Sequence, residues 1–319
     1  MSGGSTITLI VPLRNEQRSF EALRRSIESQ THPPDKVIFV DAGSTDRTLG
    51  LARASCVGKH GWDVIDAGPA TPGRARNVGI EAATTDWVAL TDAGIVLDRH
   101  WLDRLERFVA ADPTVDIVYG SYEPAPTSWF TECAALVYVT PTSLGAVGPV
   151  RDHSIASCLL RRQLWERAGG FPDLRAAEDR IFMRRVTTLG ARVGASPEAT
   201  VQWQLQPTVA TTFRRFRTYS RVNALAGEQH HWHYRVRRIY VMALTFVALA
   251  RLTDRRWIMV LLFGALLRAA RGSWKRRDGR SPLWVLHPGR LVATAGITGV
   301  VDAGTFVGWL EATAEMWRR

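Results

Sequence analysis

Three strand-like runs in the first hundred residues end in the same tripeptide, Asp-Ala-Gly: VIFVDAG at Val37 to Gly43, WDVIDAG at Trp62 to Gly68, and WVALTDAG at Trp87 to Gly94. A spacing of about 25 residues leaves room for one helix and two loops, so the pattern predicts a repeated βα unit with parallel strands. In an open parallel sheet the carboxyl ends of the strands form the ligand crevice. The repeat therefore delivers Asp41, Asp66 and Asp92 to one edge, each followed by a glycine that permits a tight exit turn. A fourth copy, Asp302 to Gly304, stands in an unrelated context.

The flanking residues agree with that alternation. Ile7 to Leu13 reads as a buried first strand interrupted by Pro12, with Arg14 to Glu16 as a polar loop at its carboxyl end. Phe20, Leu23 and Ile27 recur at helical spacing, and Pro33-Pro34 stops that helix before a second strand at Lys36 to Val40. Ser44, Thr45 and Asp46 carry the short oxygen side chains that cap a helix running toward Cys56. Pro72-Gly73 opens a helix over Arg74 to Ala83, Trp101 to Val109 is helical, and Glu178-Asp179 opens another helix, ending near Leu189.

Charge divides the chain. Residues 1 to 203 hold 22 Lys and Arg against 24 Asp and Glu, whereas residues 204 to 319 hold 19 against 6. A nearly neutral α/β domain over 1–206 is therefore expected to precede a basic, apolar helical region over 207–319. Three widely spaced cysteines, Cys56, Cys133 and Cys158, argue against a disulfide framework and for a reducing compartment. The start, MSGGSTITLIVPL, has no basic segment and only a strand-length apolar run, so no secretory leader is expected. Neither G-x-G-x-x-G after the first strand nor G-x-x-x-x-G-K-[ST] is present, which argues against dehydrogenase and kinase phosphate cradles.

Five segments in order, IVPLRNE, VDAGSTDRT, GRARNVGIEAA, LTDAG and GGFPDLRAAEDRIF, resemble the motif series of the family 2 glycosyltransferases, from Ile7 to about Phe182. The resemblance implies a GT-A fold: a nucleotide-sugar-binding sheet with helices on both faces. It also implies transfer of a sugar from a nucleoside diphosphate to an acceptor hydroxyl with inversion at the anomeric carbon. On this likeness Asp41 reads the nucleobase, with Pro12, Arg14, Asn15, Glu16 and Ser44 beside it. Capping the turn into Ser44 is the alternative role for Asp41. Arg74 and Arg76 enter a helix whose N-terminal amides favour anions, which suits a diphosphate. Asn77 belongs to the donor segment or fixes its loop.

Asp92, followed by Ala93, matches the first carboxylate of the family's Asp-x-Asp element, which holds a divalent cation, Mg²⁺ or Mn²⁺, against the diphosphate. Gly94 stands where the second Asp is usual, and Asp98 lies farther along. Either Asp92 suffices once donor phosphates complete the coordination shell, or an arginine neutralises the leaving group. The likeness makes Asp179 the general base and Glu178 its companion toward the acceptor. Gln202-Trp203 occupies the place of the Arg-Trp pair of some relatives, which points to single-sugar transfer with Trp203 on the acceptor side. A glycan or lipid-linked acceptor is implied. The other reading is a non-catalytic protein that keeps the fold and binds nucleotide sugar.

Thr211 to Gly227 is expected to be a basic helix, and Ile239 to Leu252 and Trp257 to Leu267 apolar ones flanked by arginines. Neither apolar run reaches the ~18 to 20 residues of a span. They suit an interfacial hairpin on the anionic cytoplasmic face of a membrane, with a helical bundle packed on the catalytic domain as the alternative. Pro288 to Trp309 is longer but holds Asp302. Nucleic acid explains the charge poorly, because the cations alternate with continuous apolar helices. His230, His231 and His233 lack matching Cys or acidic partners for a metal site.

Overall fold

A computed structural model describes residues 6–145, 148–228 and 233–318; His230 and His231 lie outside these ranges. The chain divides into two compact units, residues 6–125 with 143–204, and 126–142 with 205–318.

The first unit begins with the expected alternation: β1 (Ile7–Leu13), α1 (Phe20–Glu28), β2 (Lys36–Asp41), α2 (Thr48–Cys56), β3 (Trp62–Asp66), α3 (Pro72–Ala82) and β4 (Trp87–Thr91). Then come β5 (Ile95–Leu97), α4 (Trp101–Ala111) and β6 (Ile117–Ala125). After α5 (Trp129–Tyr138), which belongs to the second unit, the chain returns. It makes the short pair β7 (Ser143–Gly145) and β8 (Gly148–Val150), then β9 (Ser157–Arg161), α6 (Arg162–Arg167), α7 (Glu178–Thr188) and β10 (Val193–Gln204).

Eight strands form one sheet in the order β3-β2-β1-β4-β9-β6-β10-β5. The first four are parallel, β9 runs antiparallel to both β4 and β6, and β5 is antiparallel to β10. The run Ile7 to Leu13 is apolar on both sides because both faces of the sheet are covered. Leu9, Val11 and Phe39 pack on one face with Phe20, Leu23, Ala52 and Trp101, which brings α1, α2 and α4 there. Ile10, Ile38 and Val40 pack on the other with Ala75, Ile80, Phe182 and Val186, so α3 and α7 cover that side. In-register pairing aligns Leu13 with Asp41 and Asp41 with Asp66, which places the strand ends on one edge.

The second unit holds α5, α8 (Val209–Leu225), α9 (His233–Leu252), α10 (Arg256–Lys275), the short α11 (Pro282–Val285) and α12 (Pro288–Arg318). The apolar helices are longer than their apolar runs. Arginine is a good helix former, so the basic flanks stay helical instead of ending the element. This corrects the expectation that Trp257 to Leu267 is too short to span: α10, like the longer α12, is long and apolar enough to cross a membrane. Asp302 does not stand alone within α12, because Arg268 of α10 donates to both of its oxygens.

Candidate active site

The loop after β1 and the loop after β2 are laced together at the sheet edge. The Asn15 amide donates to Ser44 Oγ at 2.9 Å, and Asn15 Oδ1 accepts from the Thr45 amide at 2.8 Å. Glu16 donates its amide to Thr48 Oγ1 at 2.7 Å. Asn15 takes a left-handed φ of 57°, a conformation that Asn tolerates better than most residues. Of the three expected caps only Asp46 acts on α2, accepting from the Thr48 amide at 2.9 Å; Ser44 and Thr45 serve Asn15 instead.

Asp41 is 1% exposed. Its Oδ2 accepts from the Gly43 and Ser44 amides at 3.1 and 2.9 Å, so the turn-capping role is real. Its Oδ1 is buried with no hydrogen-bond partner. A buried acceptor left open costs about 1 to 3 kcal/mol, which a ligand N–H would recover. Pro12 is partly buried beneath this loop, while Arg14 is exposed. Asp66 differs from its two counterparts: it is exposed, 3.5 Å from Arg53, and accepts from the Gly68 amide.

Arg76 of α3 is the centre of the opposite wall. Its side chain is 5% exposed and donates to Asp92 Oδ1 at 2.6 Å and to Glu178 Oε1 at 2.7 Å. Burial opposes its charge, but the two carboxylates outweigh burial and raise its pKa. Burial pushes the Glu178 carboxyl above its usual range even though Arg76 pulls it down, and neighbouring Asp179 adds to the rise. Arg76 therefore ties the end of β4 to the start of α7, a role its place at the head of an α3 turn does not disclose. Arg74, two residues earlier, is exposed, and its amide donates to the Thr71 cap at 3.2 Å.

The start of α7 is built to a tight tolerance. Ala177, buried, holds a left-handed φ of 69° immediately before Glu178, a strained state for a residue with a Cβ. A Cβ on Gly73 would lie 2.0 Å from the Pro172 carbonyl oxygen and 3.3 Å from Glu178 Cβ, so only glycine lets α3 approach this turn. Asn77 is fully engaged: its Nδ2 donates to the Phe171 carbonyl, and its Oδ1 accepts from the Phe171 amide and Trp165 Nε1, all within 3.0 Å. It fixes the turn before α7. Asp179 is half-buried, and its Oδ1 accepts from the Arg180 amide at 2.7 Å.

The turn Asp92-Ala93-Gly94 closes the site toward β10. Gly94 has φ 77°, and its carbonyl accepts from the Gln204 amide at 3.3 Å, next to Trp203. Trp203 meets Tyr122 edge-on, with centroids 6.2 Å apart. A Cβ placed on Gly94 would lie 3.7 Å from Glu16 Oε2. The Glu16 carboxylate, which accepts from Ser19 Oγ, thus lies near the position where the sequence lacks a second acid. Asp92 is 38% exposed, with Arg76 holding its Oδ1. Among the described residues no three His, Cys, Asp or Glu side chains form a metal cluster, so a cation here would depend on the diphosphate for most of its ligands. Asp98 is not part of the site; it pairs with Arg104 at 3.0 Å. Arg151, 1% exposed and bound to Glu123 at 2.7 Å, is a buried cation near Tyr122 that the motif order does not point to.

Comparison with known proteins agrees with this geometry. The sequence model described as Glycosyl transferase family 2 matches residues 8–143, and that described as Glycosyl transferase family 21 matches residues 77–313. The glycosyltransferase AglE of Haloferax volcanii is 27% identical over 58% of this chain and 62% of its own length. The O-antigen chain rhamnosyltransferase RfbN of Salmonella typhimurium is 26% identical over 66% of this chain and 70% of its own. A pre-mycofactocin glycosyltransferase of Mycobacterium tuberculosis is 28% identical over 61% of this chain and 42% of its own, so the chain spans less than two thirds of two of these relatives. Among solved structures, the mannosyltransferase PcManGT of Pyrobaculum calidifontis, in complex with GDP-Man and Mn²⁺, superposes with a TM-score of 0.62 at 22% identity. That likeness covers 93% of this chain and 88% of that one, and it shows the fold. The sheet order, the ordered motifs and the sequence matches converge: the chain has the GT-A fold and belongs to the glycosyltransferases described by the family 21 model, which spans most of it, and by the family 2 model, which matches its first part.

Proposed function

We propose that the protein transfers a sugar from a nucleoside diphosphate donor to an acceptor hydroxyl with inversion, and that Asp179 is the general base. The observation that carries this reading is the buried Arg76 bridge, which joins the strand end bearing Asp92 to the helix start bearing Glu178 and Asp179. Asp41 offers its open Oδ1 to a nucleobase N–H, with Asn15 and Ser44 holding the loop around it. Arg14 and Arg74, both exposed, are the cations free to approach the diphosphate.

In a single displacement the acceptor oxygen bonds to the anomeric carbon as the carbon–oxygen bond to the diphosphate breaks. The acceptor proton passes to the Asp179 carboxylate, and the nucleoside diphosphate leaves with the electron pair. Attack from the face opposite the leaving group inverts the centre. Mg²⁺ or Mn²⁺, when bound, would neutralise charge on the leaving diphosphate, with Asp92 and Glu16 as its protein carboxylates. Glu178 and Trp203 flank the acceptor. An O-antigen rhamnosyltransferase among the relatives supports a cell-envelope glycan or a lipid-linked acceptor. The long apolar helices and the basic charge of residues 207–319 support attachment to the cytoplasmic face of a membrane, with residues 1–206 as catalytic domain.

Nucleotide titrations test the division of labour. A hydrogen bond to a charged group contributes about 1.5 to 3 kcal/mol, so Asp41→Asn should weaken nucleoside diphosphate binding about tenfold to a hundredfold with or without Mn²⁺. Asp92→Asn should weaken it chiefly when Mn²⁺ is present. Identical losses with identical metal dependence would contradict these roles.

A further inference from the structure

Within the second unit, α8 and α12 run parallel. Arg217 pairs with Glu311 and, four residues on, Arg221 pairs with Glu315, four residues on. Their backbones touch where α12 carries glycines: a Cβ on Gly304 would lie 2.8 Å from the Phe213 carbonyl oxygen, and one on Gly308 would lie 2.1 Å from that of Arg217. Small residues spaced in this way let helices approach closely. One to two turns earlier, α12 carries Gly296 and Gly299 on a neighbouring face, before the level at which α8 begins, and a Cβ on either would meet nothing within 4 Å. Beside the first turn of α8 the two helices line an open groove of about 620 Å³.

That volume is in the range of sites that hold small organic ligands, about 300 to 1,000 Å³. Ala210 and Phe213 of α8 and Gly296, Gly299 and Ala303 of α12 make its walls apolar. The one charged lining residue is Arg214. It is exposed and makes no described ion pair, whereas Arg217 and Arg221 farther along the same helix are neutralised by glutamates. An apolar channel with one unspent cation is complementary to an amphiphile that has a hydrocarbon chain and an anionic head. The source of such a ligand is at hand. α12 is apolar enough to enter a bilayer, and α10 exposes Met259, Leu262 and Phe263.

We propose that the α8–α12 groove binds one hydrocarbon chain of a membrane lipid whose phosphate head pairs with Arg214. The site is separate from the nucleotide site, and it stands whether or not Asp179 is the base.

The test uses the full chain in uncharged detergent micelles, titrated with pyrene-labelled phosphatidic acid and with pyrene-labelled diacylglycerol, which has the same chains and no phosphate. Gly299→Leu fills the groove, and leucine favours a helix over glycine, so the helix is retained; unchanged nucleoside diphosphate binding and an unchanged melting curve verify the fold. Burying a leucine-sized volume there should lower affinity for both lipids by about tenfold or more, since full burial of such a side chain corresponds to about 1.5 to 3 kcal/mol. Arg214→Gln should remove the preference for phosphatidic acid, about fivefold or less for an exposed pair, and leave diacylglycerol binding intact. Inorganic phosphate at millimolar concentration should not displace the labelled lipid. Unaltered lipid binding in Gly299→Leu overturns the proposal, as does an undiminished phosphate preference in Arg214→Gln. A change of Gly299→Leu in oligomeric state alone, measured by light scattering, overturns it in favour of a second copy of the chain as occupant.

Discussion

A guanidinium with 5% of its side chain exposed, shared between carboxylates at 2.6 and 2.7 Å, works only as a set. Desolvating each charge is expensive, and breaking such a buried pair by removing one partner typically costs about 3 to 5 kcal/mol. Here Asp92 and Glu178 share the one Arg76, and Asp179 follows Glu178 directly in the chain. Burial, with a smaller push from the neighbouring Asp179 charge, holds Glu178 above the usual value of 4.5 although Arg76 pulls it down. The sign of the pH effect follows. With its folded pKa raised, native Glu178 binds more protons than the unfolded chain, so its contribution to stability is fully present below 4.5 and is lost as pH rises through the raised value. Glu178→Gln keeps an acceptor for Arg76 and removes that titration. The melting temperature of the variant relative to wild type should therefore climb as pH is raised from 4.5 to neutrality; a relative decline would contradict the direction assigned to Glu178. Sequence order pointed to Arg76 as a phosphate ligand, because a burial this complete follows from α7 folding back onto α3, over a hundred residues along the chain. Asp41 was legible as the cap of its turn, since a strand-end Asp before Gly and Ser accepts from the amides that follow it.

At the scale of elements, the first four strands and their helices were legible within one to four residues, because a two-sided apolar strand and a proline-punctuated helix leave few alternatives. The central antiparallel β9 was not. Its pairing with β4 and β6 joins segments far apart in sequence, and SCLLR has no turn partner nearby to disclose it. The lengths of α9 and α10 were also missed, since arginine flanks read as helix ends but propagate the helix. The packing of α8 on α12 rests on glycines that carry no periodic apolar signal. Gly308→Ala should destabilise the second unit, by the ~1 to 3 kcal/mol typical of overpacking, because its Cβ would fall 2.1 Å from a carbonyl oxygen. Gly264→Ala on α10, whose Cβ meets nothing within 4 Å, should instead be neutral or stabilising. Thermal melts of the two variants compare them directly, and equal effects would deny the close α8–α12 contact.

For the whole molecule, the basic charge was legible as a regional property, but the allegiance of α5 was not. Residues 126–142 pack with the C-terminal helices, where Cys133 and Ala134 meet Ile297, so a cut near Gln206 would strip α5 of its partners. Membrane attachment is therefore better tested on the full chain. Each cation near an anionic leaflet contributes about 1 kcal/mol, and apolar burial about 25 cal/mol per Å². The chain should sediment with membranes, and high salt should release only part of it because the apolar contribution survives screening. Met259→Glu combined with Phe263→Glu, two exposed positions on α10, should release more. Full recovery of the wild-type chain in the supernatant without detergent would contradict membrane attachment.

The central claim is that Asp179 accepts the acceptor proton in an inverting transfer. Single-turnover transfer by Asp179→Asn, measured beside its donor affinity, tests it most directly. Asn preserves the size of the side chain and an oxygen for the Arg180 amide, so donor binding should be unchanged. General-base assistance is typically worth about 10² to 10⁴ in rate, and the transfer step should fall by that factor. Transfer at a near wild-type rate with donor affinity intact would contradict the account.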